Sequence, residues 1–233
     1  MSPRNQPGPE LHGSHRAQWL RAAVLGCDDG IVSTGSLMIS LGAGSAAPST
    51  VITAGLAALV AGSLSMAAGE YVSVSSQRDA ERADLLKEEA ELAEYPEAEL
   101  RELTEIYVKR GLDRDLAHTV AVQLSEHDAL GTHLRDELNL SIDHLARPVQ
   151  AAAVSATSFA IGSSIPLTVG ILTTGSRTLA VAVAALIALG ILGTVGARIG
   201  GGLRGRAAIR VILGGGMAMA VSAVIGHLVG VIG

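Results

Sequence analysis

The chain has 233 residues, is 48% hydrophobic and only 17% charged, and carries a formal net charge of −5. A soluble domain of this size carries about 25% charged residues, so the composition excludes an ordinary water-soluble fold. A lone cysteine, Cys27, excludes a disulfide framework and a cysteine-based zinc site. The chain shows no nucleophile triad, phosphate loop or basic patch, so enzyme and nucleic-acid-binding readings lack support.

In chain order, residues 1–18 come first, with Pro3, Pro7, Gly8, Pro9 and Gly13, and are expected to be disordered. They lack an apolar core followed by a small-residue cleavage site, so the first membrane helix is expected to serve as the insertion signal. A bilayer crossing takes about 20 mostly apolar residues. Five stretches qualify: 20–44, 50–76, 149–173, 178–198 and 209–232. The alternating pattern of a membrane barrel is absent, and only helices then satisfy the backbone within lipid. The expected fold is all-α: a polytopic membrane protein with two transmembrane helices over 19–76, three more over 148–233, and an insertion between the second and third. Abundant Gly, Ala, Ser and Thr should let these helices approach closely. Pro166 should kink the third.

The insertion, 77–147, is different in kind. Residues 78–147 hold 18 of the 22 acidic residues and 9 of the 17 basic ones. It reads as three helices. The first continues out of the second membrane helix, over about 74–94, and stops at Tyr95-Pro96 because proline disfavours helix in the residue before it. The second spans about 96–110 and ends at Gly111. The third covers about 114–139, opened by Asp113 or Asp115 and broken near Ser125. Leu85, Leu92, Leu100, Leu103, Leu112, Leu116, Leu124 and Leu134 supply an apolar core. Lys and Arg in short flanks set orientation. Arg4, Arg16, Arg21, Arg78, Arg147, Arg198, Arg204, Arg206 and Arg210 fall on one side, and Arg177 alone on the other. The amino terminus and the insertion should therefore be cytoplasmic and the carboxyl terminus outside.

Asp29 and Glu70 interrupt apolar segments. A carboxylate at lipid depth costs roughly 2.5 kcal/mol or more and usually belongs to an ion or proton path. Ser63, Met66 and Glu70 share one helix face at spacings of three and four. Met66 is an ordinary core filler unless Asp29 and Glu70 are neighbours. Glu70 also has a structural reading, as an ion pair with Arg21 or Arg210.

Three pairs in the insertion have the spacing of shared helix faces: Glu88 and Glu91, Glu99 and Glu102, His133 and Glu137. Such pairs on packed helices build carboxylate metal sites. Oxygen ligands with at most one imidazole suit Fe²⁺, Mn²⁺ or Mg²⁺ better than copper. Glu89, Glu94, Glu97, Asp115, Asp128 and Asp143 are assigned to solvated faces, and His118 and His127 to the surface.

At these residues the chain resembles the vacuolar iron transporter family. The resemblance rests on Asp28-Asp29-Gly30-Ile31-Val32-Ser33 and on the run from Gly55 to Tyr71, followed by the Glu-x-x-Glu pairs and Arg135-Asp136-Glu137-Leu138. It covers about residues 16–233. It implies five membrane helices, a homodimer, and exchange of cytosolic Fe²⁺ for protons along a path between the first two helices of each protomer. By position the path Asp corresponds to Asp29 and the path Met to Met66. The metal-binding Glu residues correspond to Glu88, Glu91, Glu99, Glu102 and Glu137. Two features depart from plant-type members. They have Glu where this chain has Ala58 and Gly where it has Glu70, which moves the acid about three turns along the helix. They also have a metal-binding Met where this chain has His133.

The expected function is a proton-coupled exporter of Fe²⁺ or Mn²⁺ from the cytosol, with no permanent cofactor. Its partners are the lipid bilayer, a second copy of the chain, divalent ions and protons, and no nucleic acid. It is a multi-pass integral protein, of the inner membrane if the source is bacterial. The alternative is a membrane-anchored di-iron oxidase or metal sensor without transport. Asp29 and Glu70 argue against it, since an anchor needs no carboxylates in lipid.

Overall fold

The computed structural model describes the backbone of residues 14–141 and 145–232, and side chains from residue 22 onward. Among the described residues there are seven helices and no strand. They are α1 (Ser14–Ala43), α2 (Pro48–Glu94), α3 (Pro96–Lys109), α4 (Arg114–Asp136), α5 (Pro148–Leu172), α6 (Arg177–Ile199) and α7 (Arg204–Ile232). Five are long and apolar enough to cross a membrane: the stretch Ala22–Ala43 of α1, then α2, α5, α6 and α7. Residues 14–18, assigned above to a disordered start, belong to α1, and residues 1–13 lie outside the described set.

The chain divides into two compact units, residues 1–70 with 149–233, and residues 71–148. In the first, α1 packs against α6 and α7, and α6 against α7. The shared core joins Ile31, Met38 and Ile39 of α1 to Val51 of α2, Leu167 of α5, Val181, Ala185 and Leu189 of α6, and Met219 of α7. The approach of α1 to α5 depends on missing side chains. A Cβ on Gly30 would run into the Phe159 carbonyl, and one on Gly162 into the Cys27 carbonyl. That closeness puts polar groups within reach. Thr34 Oγ1 donates to Ser163 Oγ (2.9 Å), and Ser163 Oγ donates to the Gly30 carbonyl (3.2 Å). Such interhelical bonds contribute about 0.6 kcal/mol each in a membrane bundle. α5 continues through Pro166 as one helix.

The second unit holds the end of α2 with α3 and α4. Pro96 occupies the first turn of α3, where a missing N–H is tolerated. α3 ends in a Schellman turn. Gly111 takes φ +105°, its N–H bonds the Val108 carbonyl (2.9 Å), and the Leu112 N–H bonds the Tyr107 carbonyl (3.2 Å). Asp113 then caps α4, accepting from the Leu116 N–H at 3.0 Å. Leu103 and Tyr107 of α3 pack against Ala117 and Ala121 of α4. Leu116, expected in this core, is exposed, because Ala117 and Ala121 are the residues of α4 that meet α3. α4 breaks at Asp128 (φ −160°, ψ 85°) rather than near Ser125. Past α4, the Ala146 N–H donates to Glu81 Oε2 (2.9 Å), tying the returning chain to α2.

Candidate metal centre

Each helix of the second unit delivers ligands to one point. α2 brings Glu88, α3 brings Glu99 one turn before its buried Leu103, and α4 brings His133 with Glu137 just past its end. One ligand atom from each of these four residues lies within 4.8 Å of the others. His133 Nδ1 is 3.0 Å from Glu88 Oε1, 3.1 Å from Glu137 Oε2 and 3.8 Å from Glu99 Oε2. His133 is wholly buried, Glu88 3% exposed and Glu99 7% exposed.

This grouping is costly without an ion. Among the described residues, Glu88 Oε1 and His133 Nε2 are buried with no hydrogen-bond partner. Glu88 Oε1 approaches Nδ1 in distance but makes no hydrogen bond, while Nδ1 pairs with Glu137 Oε2. Buried polar groups in native proteins are ordinarily satisfied, and one imidazole N–H cannot serve three carboxylates. A divalent cation beside Nδ1 would balance the carboxylates and engage Glu88 Oε1. Burial, then the charge of Glu137, pushes the Glu88 carboxyl up to about 7, against the pull of His133. Burial likewise raises Glu99, aided by Glu102 and Glu91 and opposed by His133.

Between the ordinary Glu value of 4.5 and about 7, the folded protein holds a proton on Glu88 that the unfolded chain has lost. Metal-free stability should therefore fall as pH rises through that window. Thermal melts of full-length protein in chelator, from pH 4.5 to 7.5, should show the decline. Glu88→Gln should flatten it, and an unchanged slope in that variant would contradict the assignment.

Glu91 and Glu102, the other two candidate ligands, lie outside the group. Glu91 pairs with Lys87 of its own helix at 3.2 Å, and Glu102 is exposed on α3. Their charges still reach Glu99. Asp136, beside Glu137, is engaged elsewhere. It accepts from Tyr107 Oη (2.8 Å) and from Arg110 through both its carboxylate (2.6 Å) and its backbone carbonyl (2.7 Å). Arg110, Tyr107 and Arg135 bond its carboxylate and hold it below its ordinary range despite burial. The spacing of the sequence gave no hint of this clamp, which joins residues 26 and 29 apart.

In the first unit, Asp29 is exposed on α1, in a stripe with Leu25, Ser33 and Leu37. Met66 and Glu70 are half-buried on α2, on the same side as Ser63. Among the described residues neither Asp29 nor Glu70 makes an ion pair, with Arg210 or any other partner, and the side chain of Arg21 lies outside that set.

Fold and site together define a polytopic helical membrane protein with a buried carboxylate–imidazole centre in its acidic unit. A family model described as "VIT family" matches residues 20–227. A protein of Acanthamoeba castellanii named "Vacuolar iron transporter" is 46% identical over 214 residues, 91% of this chain and 79% of its own length. "Vacuolar iron transporter homolog 5" of Oryza sativa subsp. japonica is 37% identical over 92% of this chain and 82% of its own. "Vacuolar iron transporter homolog 2.1" of Arabidopsis thaliana is 33% identical, at 95% and 89%. The chain belongs to the VIT family.

Proposed function

We propose that the protein is a proton-coupled transporter of divalent metal, Fe²⁺ or Mn²⁺, that exports the ion from the cytosol. The observation that carries this reading is the buried Glu88–Glu99–His133–Glu137 group around His133 Nδ1, with Glu88 Oε1 left unpartnered. Three carboxylates and one imidazole make a hard donor set suited to Fe²⁺ and Mn²⁺. The names of the relatives supply transport and iron.

The acidic unit collects the ion on the cytoplasmic side, where the Arg-rich flanks place it. Glu70, Met66 and Asp29 then form the path across the membrane. A desolvated carboxylate favours its neutral form and a bound cation favours its charged form. Metal and proton therefore compete for the same oxygens, and that competition couples their movements.

The working unit is a homodimer. The exposed stripe Leu25–Asp29–Ser33–Leu37 supports this, since a lipid-facing carboxylate is costly and a second copy would cover it. The test of function is uptake of Fe²⁺ and Mn²⁺ by proteoliposomes beside protein-free vesicles. Saturable, protein-dependent uptake is expected, and uptake equal to that of empty vesicles would refute transport.

A further inference from the structure

Asp128 belongs to no ligand group and is exposed, yet it sits where α4 changes direction. Its backbone leaves the helical region (φ −160°, ψ 85°), and its Oδ1 accepts from the Gly131 N–H at 3.0 Å. That is the geometry of an N-cap, with the side chain satisfying the N–H three residues on. Asp128 therefore ends one helix, 114–127, and starts a second, 129–136. The second carries His133 and leads into Glu137. Gly131 is matched to this cap, because a Cβ there would collide with the Asp128 carboxylate.

We infer that Asp128 is a positioning residue for the metal centre, acting by capping the short helix that carries His133. The inference rests on the metal-site reading above. The far end of the same short helix is fixed independently, by Asp136 held to Arg110 and Tyr107 of α3. With both ends fixed, the His133 ring enters a fully buried position within 3.8 Å of three carboxylates. A small rotation of so short a helix would carry the imidazole out of that group. Alanine at 128 lacks the capping oxygen and is the strongest helix former. It favours running α4 straight through the break and turning His133 away.

The test uses full-length protein in detergent. Mn²⁺ affinity is measured by calorimetry, and the visible absorption of bound Co²⁺ reports ligand geometry. Asp128→Ala should bind Mn²⁺ about tenfold more weakly, as disturbed support of a metal ligand does, and should alter the Co²⁺ spectrum. Asp128→Asn caps as well as Asp, so its affinity and spectrum should match the wild type. Should Asp128→Ala fail to fold, Gly131→Ala carries the test, with the same loss expected.

Wild-type affinity and spectrum in Asp128→Ala, or in Gly131→Ala where it carries the test, would overturn the inference. An Asn variant as weak as the Ala variant would overturn it too, by tracing the effect to charge rather than capping. Glu88→Gln separates the two levels. If that variant binds Mn²⁺ as tightly as the wild type, the metal-site reading falls and this inference with it. If it loses binding while Asp128→Ala keeps it, the positioning role alone fails.

Discussion

Replacing Asp29 by alanine is expected to abolish metal flux while leaving Mn²⁺ binding to the acidic unit intact. Asp29 interrupts an apolar stretch of α1 and is exposed there between Leu25 and Leu37. Its carboxylate would offset part of the cost of carrying a cation across. If the compensation lost is on the scale of the roughly 2.5 kcal/mol that a carboxylate costs at membrane depth, passage slows by about 70-fold. Asp29→Asn should behave likewise, since it preserves size and removes only charge. Flux from Asp29→Asn vesicles above half the wild-type rate would remove Asp29 from the path. Calorimetry on the same preparation shows that lost flux is not lost binding, because the ligand group belongs to the other compact unit.

The second large effect separates two glutamates three residues apart on α3. Glu99→Gln should weaken Mn²⁺ binding by about 100-fold, matching the upper end of what loss of a supporting group costs a metal site. Glu102→Gln makes the same charge change outside the group and should cost about fivefold or less, as an exposed charge does. The contrast follows from burial: Glu99 is 7% exposed and faces His133, while Glu102 is exposed. Equal losses in the two variants, measured by calorimetry on full-length protein, would show that the cluster acts as a diffuse acidic surface rather than as a built site.

The helix ends of the acidic unit were legible because their signals are local. Tyr95-Pro96 stops α2, Gly111 closes α3 in a left-handed turn, and Asp113 caps α4. Spacing also supplied the pool from which the four clustered residues come, since residues three or four apart share a face. It could not choose among them. A step of three turns a helix by about 300°. Glu102 therefore points about 60° away from Glu99, while a step of four keeps Leu103 near Glu99 on the buried side. Glu91 was drawn off by Lys87 four residues earlier, a competition that spacing alone leaves open.

Other features depended on contacts formed only on folding. The break in α4 falls at Asp128, three residues past the Ser125 region expected from the sequence. The exposure expected of Asp128 on a solvated face is real, but its side chain also accepts from the Gly131 N–H, a cap that forms only where the backbone breaks. Asp143, given the same solvated assignment, lies outside the described residues. The Asp136 clamp joins α3 to α4 across 26 residues and had no local signature. In the membrane unit, the five spans were plain from apolar length. The Thr34–Ser163 bond and the close approach at Gly30 were not, because they depend on which helices become neighbours.

If metal and protons compete for the same carboxylates, they move in opposite directions across the membrane. Purified protein in liposomes carrying an internal pH dye, loaded with acidic or neutral interior, measures both movements together. Mn²⁺ entry should accelerate when the interior is acidic and should be matched by interior alkalinisation, with both signals lost in Asp29→Asn. Mn²⁺ entry at the same rate with and without the gradient, and no change in interior pH, would contradict that competition.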